Sequence, residues 1–142
     1  MKGKKMFVLE ANLDDVSGEV LGYALERLAD AGAKDACCIP LLGKKGRPGF
    51  MIQAFAFEEP EKLAKIISDE TGTLGVRIYE CDKYLVNAEV VEKKTKYGKI
   101  RFKVAKEIEK VKPEYEDAKR IAKKTGKPLR VVIEELKEEY KR

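Results

Sequence analysis

The apolar residues of the first 83 positions change their spacing in a fixed order, and this order limits the folds open to the chain. Strand-like segments, rich in β-branched and aromatic residues, occupy 7–11, 35–42, 50–57 and 76–79. Apolar residues recur at helical spacing over residues 18–31 and from Pro60 to Gly72. The order strand, helix, strand, strand, helix, strand predicts a ferredoxin-like split βαβ antiparallel sheet with two helices on one face.

The last third of the chain follows a different pattern. Alternating apolar residues at 86–90 and 100–104 predict an added β-hairpin, and the sequence leaves open whether it extends the first sheet. Pro113 and Pro128 each precede helical spacing, which predicts a C-terminal two-helix unit. The predicted fold class is therefore α+β.

Charge also separates these two parts. Residues 1–83 carry 12 Lys and Arg against 14 Asp and Glu, a net charge of −2, whereas residues 84–142 carry 18 against 11, a net charge of +7. We therefore predict a ferredoxin-like α/β subdomain at 1–83 and a subdomain of β-hairpin plus two helices at 84–142.

The residues that are absent exclude several classes of site. The sequence contains no histidine, which excludes Ser-His-Asp and Cys-His triads and removes the commonest zinc and nickel ligand. Cys37, Cys38 and Cys81 lack C-x-x-C spacing, so we expect no zinc knuckle, and we expect Cys37 and Cys38 to be small packing side chains. No apolar run approaches the roughly 20 residues that span a bilayer, and the N-terminal segment lacks a signal-peptide core, so we expect a cytoplasmic protein.

Polar clusters interrupt the packing pattern, the first of them between the first strand and the first helix. The stretch NLDDVSGE, residues 12–19, places Asp14, Asp15 and Glu19 next to a helix N-terminus. Such carboxylates either cap the helix or supply oxygen ligands to a hard cation, and the local sequence leaves both interpretations open.

A basic loop, GKKGRPG at residues 43–49, lies between the second and third strands. Lys44, Lys45 and Arg47 are suited to phosphate, because ammonium, guanidinium and backbone N–H groups all donate to its oxygens. The loop does not satisfy the Walker A pattern. An ordinary solvated hairpin turn explains the same composition.

Two further polar segments follow. ETGTLGVR, residues 70–77, offers Thr71, Thr73 and Arg77 to a polyanion, although the same residues suit a helix end and a turn. PEYED, residues 113–117, puts acids at a helix start, where they favour the helix dipole.

Taken together in this order, four motifs resemble the C-terminal half of the LarC family, the nickel insertion proteins of nickel-pincer nucleotide cofactor biosynthesis. They are NLDDVSGEVLG (12–22), KKGRPG (44–49), ETGTLGVR (70–77) and PEYED (113–117). The resemblance covers about residues 10–130. It implies a function that composition alone does not indicate.

Proteins of this family insert nickel into pyridinium-3,5-bisthiocarboxylic acid mononucleotide, using CTP and Mn²⁺ or Mg²⁺. The resemblance therefore implies that this chain is the CTP- and metal-binding part of a nickel chelatase of the lyase class, with Ni²⁺ as substrate and an N-terminal half or subunit as partner. The division of roles between the clusters is our inference from their charge. By that inference, Asp14, Asp15 and Glu19 are the candidate metal residues. The candidate triphosphate contacts are Lys44, Lys45, Arg47, Thr71, Thr73 and Arg77. We assign no catalytic residue.

Two alternatives use the same composition. A net charge of +5 and basic C-terminal helices are compatible with a nucleic-acid-binding module, although stacking aromatics are not evident on the strands. A non-catalytic assembly or regulatory domain is the other alternative, because sheet edges often pair between subunits. We expect a homo-oligomer, which is compatible with all three hypotheses.

Overall fold

The computed structural model describes residues 3–142, which form two compact units at 3–84 and 85–142. Each unit contains its own cluster of buried apolar side chains. The assignment of 1–83 and 84–142 as two subdomains stays a prediction.

The first unit has the predicted order of elements and confirms the α+β class. Its four strands form one antiparallel sheet in the order β2-β3-β1-β4, the arrangement of a split βαβ fold. The elements are β1 (Lys4–Leu13), α1 (Gly18–Asp30), β2 (Asp35–Leu42), β3 (Pro48–Ala56), α2 (Pro60–Thr71) and β4 (Arg77–Lys83).

The central strand β1 divides its side chains between two faces. Leu9, Ala11 and Leu13 are buried in the cluster that also contains the apolar stripes of α1 and α2. Because side chains alternate along a strand, Glu10 and Asn12 lie on the face of the sheet opposite to the helices. We call this the helix-free face, and it carries the side chains discussed below.

Local capping fixes the start of α1 and the end of α2. The hydroxyl of Ser17 accepts a hydrogen bond from the Val20 amide at 3.3 Å, so this side chain is the N-cap of α1. Gly72 ends α2 with φ of 76°, a left-handed conformation in which glycine is favoured.

The second unit contains a sheet of its own, so the predicted hairpin does not extend the first sheet. The sequence prediction also missed the third strand, and Pro113 ends that strand instead of opening a helix. Its ring lies opposite Phe102 and is buried, and a proline at the end of an edge strand removes no ladder hydrogen bond. The elements are β5 (Glu89–Thr95), β6 (Gly98–Ala105), β7 (Lys110–Pro113), α3 (Tyr115–Thr125) and α4 (Leu129–Lys141).

The core of the second unit follows the predicted alternation. Ile100, Phe102 and Val104 of β6 are buried against Ile121 of α3 and Leu136 of α4. In the part of the chain that the structure describes, none of the helices has the length and apolarity needed to cross a membrane.

Candidate functional site

Antiparallel pairing brings three of the predicted polar segments to one end of the four-stranded sheet. β1 ends at Leu13 opposite Phe50 near the start of β3, and Leu42 at the end of β2 pairs with Pro48. Arg77 begins β4 opposite Glu10. The residues after β1, the basic loop and the segment before β4 therefore all leave the sheet at this end.

A cleft of about 420 Å³ lies at this end of the sheet. It joins the basic loop to the polar residues that end β1, so two clusters far apart in the sequence share one surface. We call it the loop cleft. Its lining residues are Asn12, Leu13, Asp14, Leu41, Gly43, Lys44, Lys45 and Arg47.

The basic loop has a defined backbone conformation. Gly43 donates to the carbonyl of Arg47 at 2.8 Å, and Arg47 donates to the carbonyl of Lys44 at 3.3 Å. Between them, Lys45 has φ of 58° and Gly46 has φ of 69°. A left-handed non-glycine residue costs about 1–3 kcal/mol, and such residues concentrate at ligand sites.

Gly49 explains how closely the loop approaches β1. A Cβ atom at this position would lie 2.2 Å from the carbonyl oxygen of Leu13, a distance that no side chain tolerates. This close approach places the turn after β1 against the basic loop, and Arg47 Nη1 lies 3.9 Å from a carboxylate oxygen of Asp14. Both side chains remain more than half exposed, so this ion pair contributes little to stability.

Arg77 lies on the helix-free face next to the loop cleft. Its Nη2 donates to Oδ1 of Asn12 at 3.2 Å and to Oε2 of Glu10 at 3.4 Å. The Sδ atom of Met51 lies 3.8 Å from the same nitrogen. Arg77 is therefore held beside Asn12, which itself lines the cleft.

Glu10 is the centre of this arrangement, and the sequence prediction missed it. Only 13% of its side chain is exposed, and its carboxylate accepts from the Tyr79 hydroxyl and from Gln53 Nε2 at 3.1 Å. The hydrogen bond from Tyr79 is the main reason why the pKa of Glu10 lies below its usual value. The hydrogen bonds from Gln53 and Arg77 lower the pKa further, although burial acts in the opposite direction. The same contact raises the pKa of Tyr79.

The other predicted phosphate residues are turned toward their own backbone. Thr71 Oγ1 donates to the carbonyl of Ile67 at 2.6 Å, and Thr73 Oγ1 donates to that of Gly75 at 3.2 Å. Both lie at the end of the sheet where the cleft opens, but neither lines it. Their hydroxyls complete the end of α2 and the turn after it.

The predicted metal residues do not form a cage. Asp14 lines the cleft, whereas Asp15 and Glu19 lie at the start of α1 outside its lining. Within residues 3–142 no group of three or more Cys, Asp and Glu side chains is arranged to hold a metal ion. A cation bound here would need further ligands from a bound molecule.

The other positions singled out in the sequence, Cys37, Cys38 and the PEYED segment, do not line the cleft. Cys38 packs against the core of the first unit, while Cys37 on the other face lies 3.9 Å from Gln53 Oε1. In the second unit, Asp117 of the PEYED segment binds the guanidinium of Arg101 through Nε at 3.1 Å and Nη2 at 3.0 Å. That carboxylate holds β6 to α3.

Comparison with known proteins places these features in a family. The family model described as "Nickel insertion protein" matches residues 1–133. A pyridinium-3,5-bisthiocarboxylic acid mononucleotide nickel insertion protein of Desulfitobacterium hafniense is 38% identical over 137 residues, which cover 94% of this chain and 34% of the relative. The protein of the same name from Acetivibrio thermocellus is 38% identical over 130 residues, covering 89% of this chain and 32% of the relative.

A solved structure matches almost the whole chain. It is described as LarC2, the C-terminal domain of a cyclometallase involved in the synthesis of the NPN cofactor of lactate racemase, in its apo form. The TM-score is 0.90 with 33% sequence identity, and the match covers 99% of this chain and 100% of that one. This chain spans about a third of the length of the curated relatives it matches. The chain therefore belongs to the nickel insertion protein family, in which it corresponds to the C-terminal domain of LarC.

Proposed function

We propose that this chain binds CTP together with a divalent cation and forms the C-terminal part of a nickel insertase. The observation that carries the proposal is the loop cleft, in which Lys44, Lys45 and Arg47 face Asn12 and Asp14 at one end of the sheet. Three cationic side chains next to oxygen ligands are more typical of a site for a metal-bound triphosphate than of an ordinary solvated turn.

The basic residues supply different contacts to the phosphates. Lys44 and Lys45 act as mobile point charges, whereas Arg47 offers a planar fork that bonds two phosphate oxygens at once. The phosphate charge also offsets the repulsion among these three side chains. Arg77, held by Asn12 and Glu10, adds a fourth cation beside the cleft.

The donor set fits a cation that arrives with the nucleotide. Mn²⁺ and Mg²⁺ take oxygen ligands, and such ions are commonly held by one or two carboxylates plus substrate phosphates. Asp14 would supply a carboxylate and Asn12 an amide oxygen, with Asp15 and Glu19 near enough in sequence to hold waters. When bound, the cation would neutralise phosphate charge and promote hydrolysis of the triphosphate.

Nickel enters this proposal as a substrate. The relatives are named for insertion of nickel into pyridinium-3,5-bisthiocarboxylic acid mononucleotide, and we propose the same reaction for the complete protein to which this chain contributes. Since the sequence has no histidine, the thiocarboxylates of the mononucleotide are suitable nickel ligands. We propose that insertion requires an N-terminal half or subunit, and that the assembly is a homo-oligomer.

Thermal unfolding tests nucleotide binding directly. A ligand that binds only the native state at 100 times its Kd adds about 2.7 kcal/mol of stability, which for a chain of this size raises Tm by on the order of 5 °C or more. We expect CTP with Mn²⁺ to give such a rise in the wild type. The double variant Lys45→Ala/Arg47→Ala should lose it.

The matched control removes two cations from the exposed surface of α2, in Lys62→Ala/Lys65→Ala. Both lysines are paired only with neighbouring acids of the same segment, so the rise with CTP and Mn²⁺ should persist. Absence of a rise in the wild type, or an equal rise in the Lys45→Ala/Arg47→Ala variant, would contradict the proposal.

A further inference from the structure

The three-stranded sheet of the second unit has an outer face with an unusual charge pattern. Buried Ile100, Phe102 and Val104 alternate along β6 with exposed basic residues. Across the ladder, Lys94 of β5 lies directly opposite Lys99, and Lys112 of β7 lies directly opposite Lys103. Like charges in directly opposed positions destabilise a sheet, so folding alone does not explain two such pairs on one face.

One of these pairs borders a cleft of about 370 Å³. We call it the lysine cleft. Three of its lining side chains are ammonium groups, and the other three are small and apolar. The lining residues are Val86, Ala88, Lys103, Ala105, Lys110 and Lys112.

The lysines of this cleft lack the acidic partners that two nearby lysines have. Lys99 pairs with Glu92 at 3.6 Å and Lys106 with Glu89 at 2.6 Å. By contrast, none of the ion pairs among residues 3–142 contains Lys103, Lys110 or Lys112. Their charges are therefore available to an external anion.

We propose that the lysine cleft binds a flat aromatic ring that carries several anionic groups, of the class of pyridinium mononucleotides with two carboxylate or thiocarboxylate substituents. This inference rests on the proposed function, because it names where the nickel acceptor binds. A mononucleotide of this class has one phosphate and two acid groups, which match three ammonium groups. Its ring suits the apolar part of the lining, which Val86, Ala88 and Ala105 supply.

The composition of the cleft favours this ligand over nucleic acid. Proteins that bind single strands stack bases on aromatic side chains, and the six lining residues, all in the described part of the chain, include none. The volume is also that of a small-molecule site, at the lower end of the usual range. A bound multivalent anion would relieve the repulsion between Lys103 and Lys112.

Titration calorimetry on the whole chain tests the inference with pyridinium-3,5-dicarboxylate mononucleotide as the probe. We expect binding that weakens as salt is raised, because the contacts are charge pairs at an exposed surface. Lys103→Ala/Lys112→Ala should weaken binding at least tenfold. Its Tm should equal or exceed that of the wild type, because the variant removes a like-charge pair.

The control is Lys94→Ala/Lys99→Ala, which removes the other opposed pair on the same face but leaves the cleft lining intact. It should change probe affinity less than threefold. Equal losses in both variants, or no binding to the wild type, would overturn the inference. So would tight, steeply salt-dependent binding of an RNA oligonucleotide that the probe fails to displace.

Different results would overturn the proposal for the lysine cleft and the proposal for the nucleotide site. If the probe does not bind while CTP with Mn²⁺ still raises Tm, this inference is wrong and the nucleotide site stands. If the probe binds but CTP with Mn²⁺ does not raise Tm, the loop cleft is not the nucleotide site. Lys103→Ala/Lys112→Ala should keep the full rise in Tm with CTP, since neither lysine lines the loop cleft.

Discussion

Asn12 Oδ1 accepts a hydrogen bond from Arg77 Nη2 at 3.2 Å, which ties the end of β1 to the start of β4 beside the loop cleft. The two residues are 65 positions apart in the sequence, and the pairing of Glu10 with Arg77 in the sheet brings them together. The contact orients a cation without burying it, because more than half of the Arg77 side chain is exposed.

Arg77→Ala should weaken CTP binding at least tenfold, because a hydrogen bond to a charged group contributes about 1.5–3 kcal/mol. Calorimetry with Mn²⁺ present measures the change, and Lys83→Ala, at the far end of the same strand, is the control. If Arg77→Ala and the wild type bind CTP with the same affinity, Arg77 contributes only to contacts within the sheet.

Two substitutions at Lys45 distinguish the effect of backbone strain on stability from the effect of the side chain on ligand binding. Its φ of 58° suits glycine, so Lys45→Gly should be more stable than Lys45→Ala by about 1 kcal/mol. Both variants lack the ammonium group and should lose CTP affinity equally. Urea unfolding and calorimetry on the pair measure the two effects, and a Lys45→Ala variant as stable as Lys45→Gly would contradict the assigned strain.

Gly49 should be irreplaceable for a steric reason. Gly49→Ala places a methyl group against the Leu13 carbonyl and should cost on the order of 2–3 kcal/mol as the strands move apart. Gly43→Ala is the matched control, because its added carbon would meet other atoms at 3.6 Å or more. Urea unfolding of both variants should show a large loss only for Gly49→Ala.

Much of the fold could be predicted from the sequence because periodicity reports which face of each segment is buried. The order of six elements in the first unit, the N-cap at Ser17 and the stop at Gly72 depend on residues close in sequence. β7 could not be predicted in this way. It has only four residues, and a proline stands at its end.

The site was predictable only in part, because its contacts depend on strand register. The cations of the basic loop are visible in the sequence, but the role of Glu10 requires Gln53 and Arg77 on the neighbouring strands, 43 and 67 positions away. A one-residue shift in pairing would place Glu10 against the helices. The opposed lysines of the second sheet likewise could not be predicted, because their pairing depends on strand register.

Asp117 makes the stability of the second unit against unfolding depend on pH. It is 11% exposed, and its Oδ2 also accepts from the Arg101 backbone amide at 2.8 Å. The hydrogen bond from the Arg101 side chain is the main reason why the pKa of Asp117 lies below its usual value, with further contributions from the Arg101 amide and from the charges of Arg101 and Arg120. The stabilisation is therefore fully present above the unfolded pKa of about 3.9 and is lost as pH falls through the lower folded pKa.

Asp117→Asn should consequently cost about 2–3 kcal/mol at pH 7, because it removes the charge from three hydrogen bonds that Arg101 donates. The difference from the wild type should shrink below pH 4, since acid neutralises the wild-type carboxylate as well. Urea unfolding at pH 7, 5 and 3 measures this convergence. Glu116→Gln, an exposed acid in the same helical turn, should stay within about 0.5 kcal/mol of the wild type at pH 7. A gap between Asp117→Asn and the wild type that stays constant from pH 7 to 3 would show that shape, not charge, makes Asp117 important.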